Sequence, residues 1–430
     1  MRRGGGAGVP AGAGAGASGG GAGVNLPALR SHNAALVLDL LRTAGEAGIS
    51  RIELAERTGL TPQAVSKIVG RLREAGLAAE AGRRASTGGK PRTVLRLLPS
   101  AGHAVGLHLD RDELTAVLLD LSGTRVASRT APLDLGAGAD AVLAGAAGEV
   151  RELLAGSGGG EARVLGVGVA MPGPLDHATG VPHRVTGFPQ WDGYPLRDAL
   201  AARLRLPVVL DKDTNAAALG LALRGPGDSF AYLHLGTGLG AGLVLGGALY
   251  RGARTGAGEF GHQVVQLDGP ACGCGNRGCV EALCLAAVAR GDIAGAARVL
   301  GVGAANLVEL LDIDRVVLGG RVVDAAAEEF VRGVGAVLAA RSRVPVTAVG
   351  GGGRTVAEGA AQLVLAPVFG RARAAFTANE DAVGNEDAVG NEDAVGNEGA
   401  VGTEGAVGNE GAVGSEGVPA NEDAAASEGE

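Results

Sequence analysis

The sequence predicts an α/β chain in two folded blocks, a winged helix-turn-helix over residues 25–98 and a larger domain of alternating strands and helices over residues 99–374. Three observations lead there. Apolar residues at helical spacing, separated by capping and turn residues, fill the first block. Short apolar runs alternate with helical stretches in the second. Within that second block one histidine and three cysteines gather at spacings that suit a metal.

The two ends lie outside these blocks. Residues 4–23 are almost entirely Gly and Ala, a composition that loses much backbone entropy on ordering and has almost nothing to bury. Residues 1–24 are therefore expected to be a disordered leader. At the other end a six-residue unit, Asn-Glu-Asp-Ala-Val-Gly, starts at Asn379, Asn385 and Asn391 and continues from Asn397, Thr403 and Asn409 with Gly in place of Asp. A hexapeptide period can mark a parallel β-helix. Each unit, however, offers one valine to a core and only negative charge, which predicts a disordered acidic tail over residues 375–430.

Charge follows the same division. The chain carries −8 overall, but no Lys or Arg follows Arg373. About 14 Asp and Glu lie between Glu380 and Glu430, leaving about +6 on the remainder. The acidic total thus does not exclude a nucleic-acid partner. Met1-Arg2-Arg3 is followed by Gly and Ala instead of a leucine-rich stretch, so no secretory signal is expected and the protein is read as cytoplasmic. No apolar run approaches the roughly 18 residues of a membrane helix, and no membrane partner is expected. Of the four cysteines, Cys284 reads as buried packing, and the other three suit a metal in a reducing compartment better than a disulfide framework.

In the first block, Ser31 to Leu41 presents Leu36, Val37, Leu40 and Leu41 as one apolar face. A second helix begins at Ser50, whose hydroxyl caps it while Glu53 reaches back to the cap amide. Gly59 makes the turn. Thr61-Pro62 then starts a third helix with a capping hydroxyl and a proline where no amide hydrogen is needed. Ala55, Gly59, Val65 and Ile68 fall at helix-turn-helix spacing. That leaves Thr61, Gln63, Ser66, Lys67 and Arg71 on or beside the outward face, where they can meet base edges or phosphates. Residues 82–92 read as a basic β-wing carrying Arg83, Arg84, Lys90 and Arg92, followed by a strand from Val94 to Leu97. Double-stranded operator DNA is the expected partner, bound by a homodimer or homotetramer.

In the second block, strands are expected at Val105–Leu109, Leu114–Leu119, Val164–Val169, Val208–Leu210 and Phe230–Leu235, with helices at Asp140–Leu154 and Asn215–Leu223. His262, Cys272, Cys274 and Cys279 supply an imidazole and three thiolates, with Gly273, Gly275 and Gly278 to allow tight turns. Four ligands leave no open position, so the expected ion is a structural Zn2+.

Gly258-Glu-Phe-Gly-His262 followed by Cys272-Gly-Cys-Gly-Asn-Arg-Gly-Cys-Val-Glu281 resembles the paired signature of the ROK family of bacterial repressors and sugar kinases. Ala170-Met-Pro-Gly-Pro-Leu-Asp176, Asp211-Lys-Asp-Thr-Asn215, Leu235-Gly-Thr-Gly-Leu-Gly240 and Val317-Leu-Gly-Gly320 match it in the same order. The resemblance implies a two-lobed actin-like ATPase fold of the sugar kinase type, with a sugar or sugar derivative held between the lobes. By position it makes Asp213 the counterpart of the kinase catalytic base, and Glu259, His262 and Glu281 counterparts of sugar-hydroxyl ligands. Lys212 stands where the kinases usually have an asparagine against the sugar, so the ligand can differ or be anionic. The chain is also shorter between Glu281 and Gly319 than is usual in the family, as though a helical pair were missing.

Family kinases carry Asp-x-Gly-Gly-Thr in their first strand turn, where glycines let ATP phosphates approach the backbone. Here the stretch is His108-Leu109-Asp110-Arg111-Asp112. Bulk obstructs the approach, and two carboxylates repel phosphate by an amount that reaches several kcal/mol where water is excluded. The reading is a sugar-responsive DNA-binding repressor of carbohydrate genes with no catalytic residue. Two alternatives are an ATP-dependent, glucokinase-like sugar kinase with an appended DNA-binding domain, and a regulator that has lost its sugar response.

Overall fold

A computed structural model describes residues 32–84, 92–157, 163–225 and 228–371. The expected leader, the acidic tail and the tip of the wing, with Lys90, lie outside the described residues. The first block opens with α1 (His32–Ala44), β1 (Ile49–Ser50), α2 (Arg51–Thr58) and α3 (Pro62–Glu74). Ser50 accepts from the Glu53 amide while the Glu53 carboxylate accepts from the Ser50 amide, the reciprocal cap read from the sequence. Gly59 closes α2 at φ 69°, a left-handed conformation that disfavours a side chain. Thr61 caps α3 and Pro62 occupies its first turn.

β2 (Ala78–Arg84) and β3 (Arg92–Leu97) form the wing, and β1 pairs with β3 to make a three-stranded sheet. α1 differs from its expected face. Leu36 is 37% exposed, while Ala34, Ala35, Val37, Leu38 and Leu41 are buried. The small alanines let neighbouring elements approach, which moves the buried stripe away from Leu36.

The second block contains two lobes of the same plan. Lobe 1 runs β4 (His103–Leu109), β5 (Glu113–Asp120), β6 (Arg125–Pro132), α4 (Ala139–Gly156), β7 (Val164–Met171), the short pair β8 (Leu175–Asp176) and β9 (Val181–Pro182), α5 (Leu196–Leu204) and β10 (Val208–Lys212). α6 (Asp213–Ala222) leads into lobe 2, with β11 (Phe230–Leu235), β12 (Leu239–Leu245), β13 (Ala248–Tyr250), α7 (Val280–Ala289), α8 (Ile293–Leu311), β14 (Arg315–Gly319), α9 (Arg321–Ala325), α10 (Ala327–Ala339) and β15 (Val346–Ala348). Each sheet has five strands, ordered β6-β5-β4-β7-β10 and β13-β12-β11-β14-β15, so an antiparallel meander continues into parallel strands in both.

α11 (Gly353–Val368) packs on the lobe 1 sheet, α6 packs on the lobe 2 sheet, and the two helices pack on each other. This contact explains several glycines. A Cβ on Gly106 would stand 1.9 Å from the Ala357 carbonyl oxygen, and one on Gly359 would stand 1.9 Å from that of Ala216. The close backbone approach is available only without side chains.

One expectation is corrected by the fold. α8, with 19 residues, is long and apolar enough by length and composition to cross a bilayer. Half of it is buried within the protein, where Gly301 meets Val334 and Val337, and Gly303 meets Phe260 and Val280. Its apolarity is that of a half-buried helix packed on α7 and α10.

Candidate functional site

The two lobes face one another across a cleft of about 630 Å³ lined by Asp110, Lys212, Asp213, Glu259, His262 and Glu281 among others. Strand ends and helix starts place them. Lys212 ends β10, Asp213 starts α6, and Glu281 lies in the first turn of α7. Glu259 and His262 come from a tight segment pressed on β12. A Cβ on Gly258 would meet the Ala241 carbonyl oxygen at 1.9 Å, and one on Gly261 that of Leu239 at 2.1 Å. With Phe260 buried between them, the alternating glycines turn both polar side chains toward the cleft.

The five predicted cleft residues are therefore brought together, in differing states. Glu281 accepts from the Leu239 amide at 2.8 Å, and Asp213 from the Thr214 amide at 2.6 Å. Lys212 is buried and already engaged, donating to the Ala257 carbonyl and, at 3.0 Å, to Glu259. Burial pushes the Asp213 carboxyl up to about 7, with the Asp110 and Glu259 charges adding to the effect and the Thr214 amide and Lys212 opposing it. Near neutrality Asp213 can thus either donate to or accept from a ligand hydroxyl.

Asp211 was not singled out as a ligand, yet it organises the floor. It is buried and accepts from the Lys212 amide (2.8 Å), Asn215 Nδ2 (2.8 Å) and Arg251 Nε (2.7 Å). Its place beside Lys212 and Asp213 in one motif was the available signal.

At the cleft mouth, the β4–β5 turn of lobe 1 meets lobe 2 directly. Asp110 Oδ1 accepts from Thr237 Oγ1 at 3.0 Å. Asp112 receives Arg321 in a two-pronged contact at 3.0 Å. Arg321 opens α9 directly after Gly319-Gly320. These partners are 127 and 209 residues apart, so no local spacing revealed them. His108 does not reach the cleft as a free group; it is buried on β4, with its ring edge-on to His234 at 6.4 Å. Burial lowers its pKa to about 4, with His234 and Arg321 adding to that and Asp110 opposing it.

Beside the cleft, His262, Cys272, Cys274 and Cys279 converge, with donor atoms all within 4.8 Å of one another. Cys274 Sγ and Cys279 Sγ are 3.7 Å apart, and Cys272 Sγ is 3.6 Å from His262 Nδ1. Tetrahedral bonds of about 2.3 Å to sulfur and about 2.0 Å to nitrogen require edges of roughly 3.5–3.8 Å. The four side chains can hold a metal. Cys284 lies apart, buried beneath the Ala296 carbonyl.

On the winged helix, Gln63, Ser66, Lys67 and Arg71 are exposed on α3, opposite the buried Val65, Ile68, Val69 and Leu72. Thr61 is exposed and spends its hydroxyl on the cap. Arg83 and Arg92 are exposed on the two wing strands. Arg84 ends β2, and its side chain lies outside the described residues.

Comparison with known proteins agrees with this architecture. Residues 105–290 match the ROK family, and residues 30–85 match the MarR family. The xylose repressor of Bacillus subtilis is 29% identical over 239 residues, 54% of this chain and 61% of its own length. The glucokinase of Thermotoga maritima is 44% identical over 128 residues, 29% of this chain and 40% of the enzyme. The crystal structure of a ROK family transcriptional regulator, a homologue of the E. coli MLC protein, superposes with a TM-score of 0.65 at 24% identity, covering 80% of this chain and 97% of that one.

Proposed function

This chain belongs to the ROK family and carries a MarR-type winged helix in front of its sugar kinase-like domain, and we propose that it is a DNA-binding repressor of carbohydrate genes, acting in the cytoplasm and released from its operator by a sugar. One juxtaposition carries the reading. An exposed recognition helix is joined to a cleft rich in hydroxyl-binding groups, and the β4–β5 turn, which the family resemblance would set against a nucleotide's phosphates, is tied to lobe 2 by Asp110–Thr237 and Asp112–Arg321.

In this reading Asp213, Glu259, His262 and Glu281 hold the sugar, and Lys212 orients Glu259 beneath it. Carboxylates suit this because each accepts from more than one hydroxyl. Zn2+ would be held by His262 Nδ1 and the sulfurs of Cys272, Cys274 and Cys279, and would act as a structural cross-link. That leaves the second ring nitrogen of His262 for the ligand. The sugar changes DNA affinity only through a difference in its affinity for two placements of the winged helices.

Lys67, Arg71, Arg83, Arg84, Lys90 and Arg92 supply phosphate contacts to a homodimer, or a homotetramer, on a two-fold symmetric site. For about six neutralised phosphates, log affinity falls against log salt with a slope of roughly −5. Titration of operator fragments at several salt concentrations, with and without a panel of sugars, tests the reading. Salt-independent binding, or no sugar that releases the DNA, would overturn it.

A second reading, a sugar kinase with an appended DNA-binding domain, draws on Asp213 and the glucokinase likeness. It requires ATP-dependent phosphorylation of a sugar by the purified protein.

A further inference from the structure

A second pocket, open on one side, lies where α1 of the winged helix meets β5, α6 and α11. Its polar lining is Arg42, Ser122, Arg224, Glu358, Gln362 and Arg371, so one carboxylate faces it beside three guanidiniums, and Leu119, Leu223 and Phe369 contribute apolar surface. The charges around it do not balance. Asp39 accepts from Arg42 at 2.8 and 3.0 Å through one oxygen and from Arg371 at 2.9 Å through the other. Glu358 accepts from Arg125 at 2.7 Å and from Arg224 at 3.3 Å. Four guanidiniums thus share two carboxylates, an excess of two positive charges. Arg42 also lies over the Phe369 ring at 5.2 Å, which fixes its plane.

The position of the cavity matters as much as its charge. α6 carries Asp213 at its first residue and ends beside Leu223 and Arg224. α11 starts next to His108 and Glu113, at Gly353, and runs into Phe369. The cavity is therefore at the far ends of α6, which starts at the cleft, and of α11, which starts against β4 and β5, and one of its walls belongs to the DNA-binding block.

We propose that this cavity is a second ligand site, taking a small phosphate monoester whose phosphate bridges the winged helix to lobe 1. A monoester carries about −1.5 to −2 near neutral pH, which matches the excess charge, and guanidiniums meet phosphate oxygens in pairs. The carbon part of the ester lies against Leu119, Leu223 and Phe369. The assignment is independent of what the cleft binds.

Calorimetric titration of the full chain tests it, with phenyl phosphate and inorganic phosphate as probes and chloride at matched ionic strength as baseline. Phenyl phosphate is expected to bind one per chain, at least tenfold more tightly than inorganic phosphate. Arg224→Ala and Arg42→Ala should each weaken it about tenfold or more, and Asp213→Asn should leave it unchanged. Arg224 has a largely exposed side chain, so its replacement keeps the fold, as a thermal melt can verify. No saturable heat above the chloride baseline overturns the proposal. So do equal affinities for the two probes, or binding that Asp213→Asn removes and Arg224→Ala spares.

Discussion

Lobe 1 and lobe 2 share one strand order, and each begins with a hairpin whose turn faces the cleft, but the two turns have opposite chemistry. Lobe 1 turns through Asp110-Arg111-Asp112, lobe 2 through Gly236-Thr237-Gly238. The glycine turn leaves space and backbone donors. The charged turn reaches across to Thr237 and Arg321. The same strand order thus presents a glycine turn on one side of the cleft and a charged turn on the other, and side chains join the two turns. The lobes differ again beyond the third strand, where lobe 2 alone, among the described residues, inserts a His/Cys cluster.

The comparison breaks most visibly at that cluster. Cys272→Ser or Cys279→Ser should release one zinc per chain and lower the melting temperature by on the order of 10 °C, because closed-site metal energy is also folding energy. Metal analysis and calorimetry decide it. A wild-type protein purified without chelator that holds no zinc would remove the cross-link from the account.

The next effect concerns which half of the cleft still works. Asp213→Asn should weaken sugar binding roughly ten- to hundred-fold, the equivalent of about 1.5–3 kcal/mol for a hydrogen bond to a charged group. DNA affinity without sugar should be unchanged, and wild-type protein should phosphorylate no sugar above background. Turnover of ATP with any common hexose at enzyme-like rates would show that the charged turn does not block the phosphates.

Acidity sharpens the same point. The Asp213 carboxyl is held at about 7 against an ordinary 3.8, so the folded protein keeps a proton that the unfolded chain has lost. The associated stability is fully present below about pH 4 and is lost as pH rises through about 7. Wild-type and Asp213→Asn melting curves should therefore converge toward low pH and separate toward pH 8, with the variant the more stable of the two there. Parallel curves across that range would contradict the burial argument.

The smallest effect belongs to the cross-cleft ion pair. Asp112 and Arg321 are both substantially exposed, so Arg321→Ala should cost at most about 1 kcal/mol. It should nonetheless loosen the two turns, seen as faster amide exchange in residues 110–113 and 236–238. Unchanged exchange would mean that Asp110–Thr237 alone holds the two turns together.

The sequence alone determined what depends on local physics. The cap pair Ser50 and Glu53, the turn at Gly59 and the proline start of α3 rest on contacts within a few residues, and all are found in the structure. The strand from Phe230 to Leu235 was legible for the same reason, being an apolar run bounded by turn residues. The His/Cys cluster was legible because its side chains are rare and lie close together in the chain. Leu36 was misplaced because a helix shows its apolar residues without showing which neighbours will cover them. The apolar length of α8 was underestimated for a related reason, since a half-buried core helix and a membrane helix share a composition. The partners of Asp110, Asp112 and Lys212, and the sharing of Asp39 by Arg42 and Arg371, were decided only by the tertiary structure. They join residues from different elements, far apart in the chain, so their pairing follows from how sheets and helices pack and leaves no periodicity to read.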